Sequence, residues 1–351
     1  LSISGTAVLT REQAAQMCLN TLKAPLVQYS NKGGNISVNG ATIEIGASKA
    51  EYVTTTLAKE QRISDRTLTN TGLNTTGGYT VEFGEKYYPA LELKTDNDDF
   101  DRPAHQWLHN NKKIGSYVDY DLMVAEYTTA IDGKDLYEKL GSSIIKEYDV
   151  TYYVDGQVNE TIKASNMIKT NTKDYATTGK GVLTQIFVDN DDEDLTIVEI
   201  NTYLAETDDY NEKKETLKFN DIYGYGDVKL TKNRIKAVED VELDDIASIK
   251  DYKDGDMVLL TIANGEVKTI VPAEKVAATE IDEFSKHDYV NAGQKYSYAE
   301  TGKLTASFGY DELSDYDNKN LDDKTFDLYL DQYGYLIGIE QVEDDVEYVF
   351  I

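Results

Sequence analysis

The sequence is poor in cysteine and in long apolar runs. Its 351 residues include one cysteine, Cys18, so no disulfide forms within the chain, although that count does not exclude export. No apolar run approaches the ~18 residues of a membrane span. No secretory signal pattern is present either. Since the chain starts at Leu1, in the middle of a pattern, we expect it to be a piece of a longer protein.

The motifs of several enzyme classes are also missing. There is no G-x-S-x-G elbow for a serine nucleophile, and no histidine lies near Cys18 in the sequence. Neither a P-loop nor the G-x-G-x-x-G dinucleotide motif occurs. Carboxylates are so numerous that counting them neither finds nor excludes a glycosidase pair. The single Trp gives a sugar-cleaving cleft little support, because such clefts usually offer several Trp and Phe platforms.

Basic residues are scarce relative to acidic ones. The chain has 35 Lys and Arg against 64 Asp and Glu, a net charge of −29, which disfavours nucleic acid and anionic lipid as partners. The excess acid favours solubility and attracts divalent cations. The hydrophobic content of 40% is that of a globular protein, and the 27 Tyr suit half-exposed strand faces.

The segment Leu9–Leu22 predicts a short amphipathic helix. Thr10 is a suitable N-cap, Gln13 stands at the capping-box position, and Pro25 follows the end. Because so short a helix is marginal alone, we expect its apolar stripe to pack against something, with Cys18 as a small buried hydrophobe. That stripe consists of Ala14, Met17, Cys18 and Leu22.

The segment "VLTREQAAQMCLNTL" at Val8–Leu22 resembles the last helix of an S-layer homology repeat. Four further segments are similar to the body region of clostridial proteins that carry such repeats. They are "GGYTVEFGEKYYPALEL" at Gly77–Leu93, "DDFDRPAHQW" at Asp98–Trp107, "IGSYVDYDLMVAEYTTAIDGKDLYEKLG" at Ile114–Gly141 and "YLDQYGYLIGIE" at Tyr329–Glu340.

The resemblance implies a location and a partner. Three such repeats together dock secreted proteins on polymers of the bacterial cell wall. It places Thr10 and Arg11 at the groove for the wall polymer, where Arg11 can fork onto an anionic substituent. The family's motif usually ends in Glu, whereas this chain has Gln13. Because only one partial repeat is present, wall binding is expected through upstream repeats, and in this chain Arg11 is expected to face solvent beside a helix cap.

The fold class predicted is mainly β with an α+β N-terminal domain, in several domains built as small sandwich-like or barrel-like modules. The boundaries predicted are 1–29 for the end of the repeat and its exit, 30–146 for the α+β domain, and 147–247 and 248–351 for two β-rich modules. The α+β domain contains a short helix from Asp132 that stops at Gly141.

Two-residue turn signals predict hairpins along the chain. The turns are expected at Asn39–Gly40, Asn110–Asn111, Asp155–Gly156 and Asn264–Gly265. A weak internal repeat adds two more hairpins, since Phe187–Asp189 and Tyr329–Asp331 both read aromatic, apolar, Asp and then a turn. The strand after each turn ends its pattern in a glutamate, Glu199 or Glu340.

Two patterns suggest metal ligands. His105 and His109 are four apart, but Gln106 replaces the glutamate of H-E-x-x-H and Pro103 favours a strand, so we expect ordinary strand histidines. The acidic run 96–101 offers the hard oxygen ligands that Ca²⁺ prefers, without the spacing of an EF-hand loop. Its candidate ligands are Asp96, Asp98, Asp99 and Asp101, with a second acidic turn at Asp189–Asp194; a solvated acidic turn is the alternative.

These observations favour a non-catalytic, structural body of an extracellular protein anchored to the cell wall, with no cofactor beyond weakly bound Ca²⁺. Other copies of the chain are expected partners; nucleic acid and membrane insertion are not. One alternative is a surface adhesin or ligand-binding module that uses exposed Tyr-rich strands. The second alternative is a glycan-active enzyme with a carboxylate site.

Overall fold

The computed structural model describes residues 11–54, 74–76, 78–131, 133–159, 178–227, 236–285, 288–300 and 324–342. These residues are mostly in β-strands, which confirms the predicted mainly β class. The chain forms two compact units. The first comprises Leu1–Asp98 and Ala104–Val118, and the second Asp99–Pro103 and Asp119–Ile351. No described helix combines the length and apolarity that a membrane crossing requires.

The described part of the first unit begins with helix α1 (Arg11–Leu22), which is followed by four strands in two antiparallel pairs. Its strands are β1 (Val27–Tyr29), β2 (Gly34–Val38), β3 (Ala41–Ile45) and β4 (Ala50–Tyr52). Strand β1 pairs with β4, and β2 pairs with β3 around the predicted Asn39–Gly40 turn, where both residues have positive φ. Only glycine and a few polar residues adopt that conformation readily, and it matches the twist of the flanking strands.

The rest of the first unit consists of a short hairpin, a short helix and a three-stranded meander. The elements are β5 (Asn74–Thr75), β6 (Gly78–Tyr79), α2 (Phe83–Tyr87), β7 (Leu91–Asn97), β8 (Pro103–His109) and β9 (Lys112–Val118). The meander has the order β7-β8-β9, and the β8–β9 hairpin turns at Asn110–Asn111 as predicted. One small buried cluster among the described residues of this unit consists of Val53 and Val81 with Leu26 packed against them.

Helix α1 exists as predicted, but its predicted burial is wrong. Met17 is 47% exposed, and Cys18 is an exposed free thiol rather than a buried hydrophobe. The helix packs mainly beside the five-residue α2. So short a neighbour covers only part of the apolar stripe, which therefore borders an open apolar groove shared with Phe83 and Leu91.

The second unit opens with a five-stranded sheet of order β10-β13-β14-β11-β12. Its strands are β10 (Met123–Tyr127), β11 (Asp149–Val154), β12 (Gln157–Val158), β13 (Leu183–Asp189) and β14 (Asp194–Ile200). Strand β11 runs parallel to β14, and the other pairs are antiparallel. Helix α3 (Gly133–Glu147) connects β10 to β11 and buries Leu136, Leu140 and Ile145 in the same core as Ile186 and Ile197. Gly141 has φ +78 inside α3, so the helix breaks where a stop was predicted and then resumes.

A four-stranded antiparallel sheet of order β17-β15-β19-β20 follows. Its strands are β15 (Tyr203–Thr207), β17 (Phe219–Ile222), β19 (Met257–Ala263) and β20 (Glu266–Pro272). The small ladder of β16 (Thr216–Leu217) and β18 (Val241–Glu242), with 3₁₀ helices at Tyr225–Asp227 and Ala247–Asp251, completes this part. Tyr203, Leu217, Ile249 and Leu260 are fully or almost fully buried there.

Two three-stranded sheets complete the described part of the second unit, with orders β21-β25-β26 and β22-β23-β24. Their strands are β21 (Glu274–Glu280), β22 (Glu283–Ser285), β23 (Tyr289–Asn291), β24 (Lys295–Ser297), β25 (Thr325–Leu330) and β26 (Leu336–Val342). Strand pairs cross two of the predicted boundaries. Residues before and after 146/147 pair in β10–β13, and those before and after 247/248 pair in β15–β19.

Candidate functional site

The residues that the resemblance assigns to the wall polymer, Thr10 and Arg11, lie near the start of the chain. Thr10 lies outside the described residues, and Arg11 is the first residue of α1. Their expected role in a polymer groove stays a prediction.

The two histidines of the 105–109 segment lie on strand β8, as expected. The ring of His105 contacts the ring of its cross-strand partner Tyr117, with 5.2 Å between centroids. His109 is the last residue of β8 and pairs with Lys112 at the turn. Both histidines thus have ordinary positions in a hairpin.

The acidic run 96–101 falls at the border of the two units. In the first unit, Asp96 Oδ1 accepts a hydrogen bond from the amide of Asn97 at 2.9 Å, and Asp98 follows the end of β7. In the second unit, Asp99 forms an ion pair with Lys268 at 3.2 Å, and Asp101 has φ +62. The described residues contain no group of three or more His, Cys, Asp or Glu side chains placed to hold a metal. Calcium binding stays a prediction.

The second acidic turn forms the expected hairpin tip between β13 and β14. Asp189 Oδ1 accepts hydrogen bonds from the amides of Asp191 and Asp192 at 2.9 and 3.2 Å. In the other half of the weak repeat, Asp331 Oδ1 accepts from the amides of Tyr333 and Tyr335 at 2.8 and 2.9 Å. The repeated aspartate therefore has a structural role in both hairpins, because it satisfies amides that the tight turn leaves unpaired.

A buried polar cluster around Asp155 was not expected from the sequence. Asp155 follows β11 and is 0% exposed. Its Oδ1 accepts from the amide of Asn201 at 2.9 Å, and its Oδ2 accepts from Asn201 Nδ2 at 3.0 Å and from the Tyr203 hydroxyl at 2.5 Å. We name Asp155, Asn201 and Tyr203 the aspartate clasp. It joins the five-stranded sheet to the first residue of β15 in the four-stranded sheet.

Backbone bonds extend the aspartate clasp. The Asp155 amide donates to the Glu199 carbonyl and the Asn264 amide donates to the Asp155 carbonyl, both at 3.0 Å. The second bond holds the Asp155–Gly156 turn against the Asn264–Gly265 turn. Gly156 has φ +70, and a Cβ there would lie 2.6 Å from the Asp99 carbonyl oxygen, so this approach requires glycine.

Burial controls the protonation of the aspartate clasp. It raises the pKa of Asp155 to about 6, although the hydrogen bonds from Tyr203 and Asn201 oppose that rise. Burial and the neighbouring Asp155 raise the pKa of Tyr203 well above its usual value. The Tyr203 ring meets the Tyr225 ring edge-on at 5.1 Å, and the Tyr225 hydroxyl donates to the Lys236 carbonyl at 2.8 Å. Such a cluster can hold a proton, but no member is exposed to a substrate.

The aspartate clasp was not predicted from the sequence, because Asp155 and Gly156 match an ordinary Asp-Gly hairpin turn. The available signal was the polar pair Asn201–Thr202, which separates two apolar strands without Gly or Pro. Polar residues between buried strands need buried partners, but the sequence does not show which residue supplies them.

An acidic pocket of about 500 Å³ lies elsewhere in the second unit, around Lys268. Its charged lining is Asp99, Glu239, Asp240, Glu242, Asp245, Glu266 and Lys268. Lys268 Nζ lies 2.7 Å from Glu266 and 3.2 Å from Asp99. Burial alone would lower the pKa of Lys268, but these two carboxylates raise it, so the ammonium stays charged.

Comparison with known proteins gives no relative. No family model matches the chain, and no curated protein or solved structure does.

Proposed function

We propose that the chain is the non-catalytic, structural body of an extracellular protein of the S-layer homology type, held at the cell wall through repeats upstream of it. The proposed location rests on the resemblance of the segment Val8–Leu22 to an S-layer homology repeat. The observation that carries the non-catalytic, structural role is the aspartate clasp. It contains Asp155, a buried aspartate whose pKa is raised to about 6. A raised pKa of this kind is common among catalytic carboxyl groups, so Asp155 is the residue to test for such a role. Its contacts are those of a structural element.

Both oxygens of Asp155 accept hydrogen bonds from the protein, and the residue is 0% exposed. A general acid or base must reach the proton that it transfers, and Asp155 does not meet that requirement. Its hydrogen bonds instead fix two sheets to each other. A protein that projects from or tiles a surface depends on such internal rigidity.

Exposed tyrosines favour an adhesin as the second candidate function. Tyr87 and Tyr88 are 55% and 53% exposed at the end of α2. Tyr88 also lines the apolar groove beside α1. Tyrosine provides a large apolar contact with a polar tip and is common in binding surfaces. A glycan or host-protein array tests this candidate, since binding that Tyr87→Ser with Tyr88→Ser abolishes would favour an adhesin.

Cys18 allows a direct test of location. It is the chain's one cysteine, and its side chain is exposed. Intact cells that make the full-length protein are treated with a membrane-impermeant maleimide, and labelling is compared with that of lysed cells. We expect Cys18 to label in intact cells and the protein to leave the wall fraction under denaturing extraction.

The Cys18→Ser variant is the control and should not label. Protease treatment of intact cells checks the result independently, because extracellular protein is degraded while cytosolic markers survive. Labelling only after lysis, together with protease resistance, would contradict the proposed location.

A further inference from the structure

Strands β1 to β4 form one continuous two-stranded arm, which we name the β-arm (Val27–Tyr52). Val27 faces Tyr52 at its base, and Val38 faces Ala41 at its tip. The numbers of facing residues add to the same total in both ladders, so the register does not change between them. Asn31 and Ser48 bridge the interval, since the Ser48 amide donates to the Asn31 carbonyl at 2.8 Å and the Asn31 amide donates to Ser48 Oγ at 3.0 Å.

Backbone hydrogen bonds hold the base of the β-arm in the first unit. The Val53 amide donates to the Leu26 carbonyl at 2.9 Å, and the Val81 amide donates to the Val53 carbonyl at 2.8 Å. These three residues form the small buried cluster described above for the first unit. The arm is therefore held at its base, while all five residues of β2 and all five of β3 are exposed.

The tip of the β-arm has one apolar face. Residues that face each other across an antiparallel pair, and those two apart along a strand, project to the same side. Ile36 faces Ile43, and these two share their side with Val38 and Ile45, whose exposed fractions range from 36% to 52%. The other side of the tip carries Asn35, Ser37, Thr42 and Glu44.

In the described part of the chain, both strands of this tip are exposed, although the apolar face of a hairpin needs cover. A two-stranded ribbon is marginal in water unless its apolar face packs against something. In the part of the chain that the structure describes, β2 and β3 form a sheet of their own with two open edges. A partner that covers Ile36 and Ile43 would supply the missing packing.

The distribution of charge favours the first unit of a second copy of the chain as the partner. Of the 35 basic and 64 acidic residues, the first unit holds 11 and 10, which leaves 24 and 54 in the second unit. Contacts between the second units of two copies are therefore opposed by like charge, whereas the first units are almost neutral. The β-arm itself has two basic and two acidic residues, with only Glu44 in β2 and β3.

We propose that the apolar tip faces of two β-arms, Ile36, Val38, Ile43 and Ile45 in each, pack against each other and join two copies of the chain. The contact is isologous, so each residue meets its equivalents in the other copy. The inference rests on the proposed function in one respect, because a structural layer needs contacts between copies.

The size of the tip sets the expected strength. Five-residue strands give a face about 17 Å long and two strands wide, far below the ~1,200 Å² of stable complexes. Free chains should therefore associate weakly, in about the micromolar range or above. Chains anchored side by side on a wall meet at a much higher effective concentration, at which a weak contact is sufficient.

Sedimentation velocity of the full chain from about 1 to 200 µM tests the inference, with 300 mM NaCl to screen the acidic units. The Cys18→Ser background removes disulfide dimers. We expect the wild-type weight-average sedimentation coefficient to rise with concentration. Ile36→Lys with Ile43→Lys should shift the association at least tenfold to higher concentration. Ile36→Thr with Ile43→Thr, which keeps β-branched side chains and adds no charge, should weaken it in the same direction.

The matched control is Ser37→Lys with Thr42→Lys. These residues form the neighbouring facing pair on the polar side of the same tip, so the control adds equal charge at positions that are also exposed. It should associate like the wild type. The inference is overturned if the wild type stays monomeric, if both Ile36 and Ile43 variants associate like the wild type, or if the control loses association equally. Cell-surface labelling of Cys18 is independent of these results, so it separates failure of the β-arm contact from failure of the proposed location.

Discussion

At the scale of single residues, Asp155 makes stability depend on pH in an uncommon direction. Its folded pKa of about 6 lies above the ordinary value of 3.8. The folded protein therefore binds this proton more tightly than the unfolded chain does. Its contribution is fully present below about pH 4 and is lost as pH rises through 6.

The Asp155→Asn variant isolates this effect. Between pH 5 and 7, the free energy of unfolding of the wild type should fall by about 1 kcal/mol relative to the variant. Urea unfolding at several pH values measures the difference, and this range stays above the pI of about 4.4. A difference that is constant with pH would show that Asp155 has no raised pKa in the folded protein.

The Tyr203 hydroxyl should contribute more to the free energy of unfolding than an exposed tyrosine hydroxyl does. Tyr203→Phe removes the shortest hydrogen bond to Asp155 and leaves a buried carboxyl group with fewer donors, so we expect a loss of about 1–3 kcal/mol. Tyr148→Phe is the control, because the Tyr148 hydroxyl donates to Asn190 at an exposed site, at 2.8 Å. Chemical denaturation compares both with the wild type, and equal losses would show that the Tyr203 hydroxyl contributes no more stability than an exposed tyrosine hydroxyl.

At the scale of elements, the sequence predicts hairpins well because their chemistry is local. The turns at Asn39–Gly40 and Asn264–Gly265 occur where predicted, and all four residues have positive φ. Strand partners distant in the sequence were not predicted. Nothing local specifies that β11 runs parallel to β14 or that β15 pairs with β19, because these choices depend on packing in the assembled core.

The same distinction explains the error at α1. Capping and the spacing of Met17 and Cys18 are local signals, and they predicted the helix correctly. Burial depends on which element lies opposite, and α2 is too short to cover the stripe. The aspartate clasp was not predicted for the same reason, since the partners of Asp155 lie 46 and 48 residues away in the sequence.

Glycine at a turn that packs against the chain should be less replaceable than glycine at an open turn. Gly265 and Gly255 have φ +89 and +82, but a Cβ at Gly265 would lie 2.7 Å from the Ala237 carbonyl oxygen, whereas nothing lies within 4 Å at Gly255. Gly255→Ala should cost about 1–2 kcal/mol from backbone strain alone. Gly265→Ala should cost at least ~1 kcal/mol more. Thermal or urea unfolding compares the two, and equal costs would contradict the packing at Gly265.

At the scale of the whole molecule, charge is divided unequally between the two units. The second unit carries 54 acidic and 24 basic residues, so like-charge repulsion opposes its compact state. At 0.1 M, salt largely screens such repulsion between charges more than about 10 Å apart. The nearly neutral first unit has little repulsion to screen. The two units should therefore respond differently to ionic strength.

The single Trp separates the two responses, because Trp107 lies in the first unit. Raising NaCl from about 10 to 300 mM should increase the melting temperature of the second unit, followed by calorimetry, by several degrees. The transition reported by Trp107 fluorescence should shift much less. An equal shift of both transitions would show that the stability of the second unit is not limited by its own charge.

Divalent ions extend this test to the calcium site predicted at Asp96, Asp98, Asp99 and Asp101. Mg²⁺ and Ca²⁺ screen charge equally at equal ionic strength, but only Ca²⁺ accepts the flexible, oxygen-rich coordination that such a loop would offer. If the loop binds calcium, millimolar Ca²⁺ should raise a melting temperature beyond the value in Mg²⁺, and Asp96→Asn with Asp98→Asn should remove the excess. The pair Glu274→Gln with Glu280→Gln, at two exposed positions of β21 outside both acidic turns, removes the same charge and should keep the excess. If Ca²⁺ and Mg²⁺ act alike, the acidic run is a solvated turn. The ion pair between Asp99 and Lys268, at 3.2 Å, already neutralises one of its carboxylates.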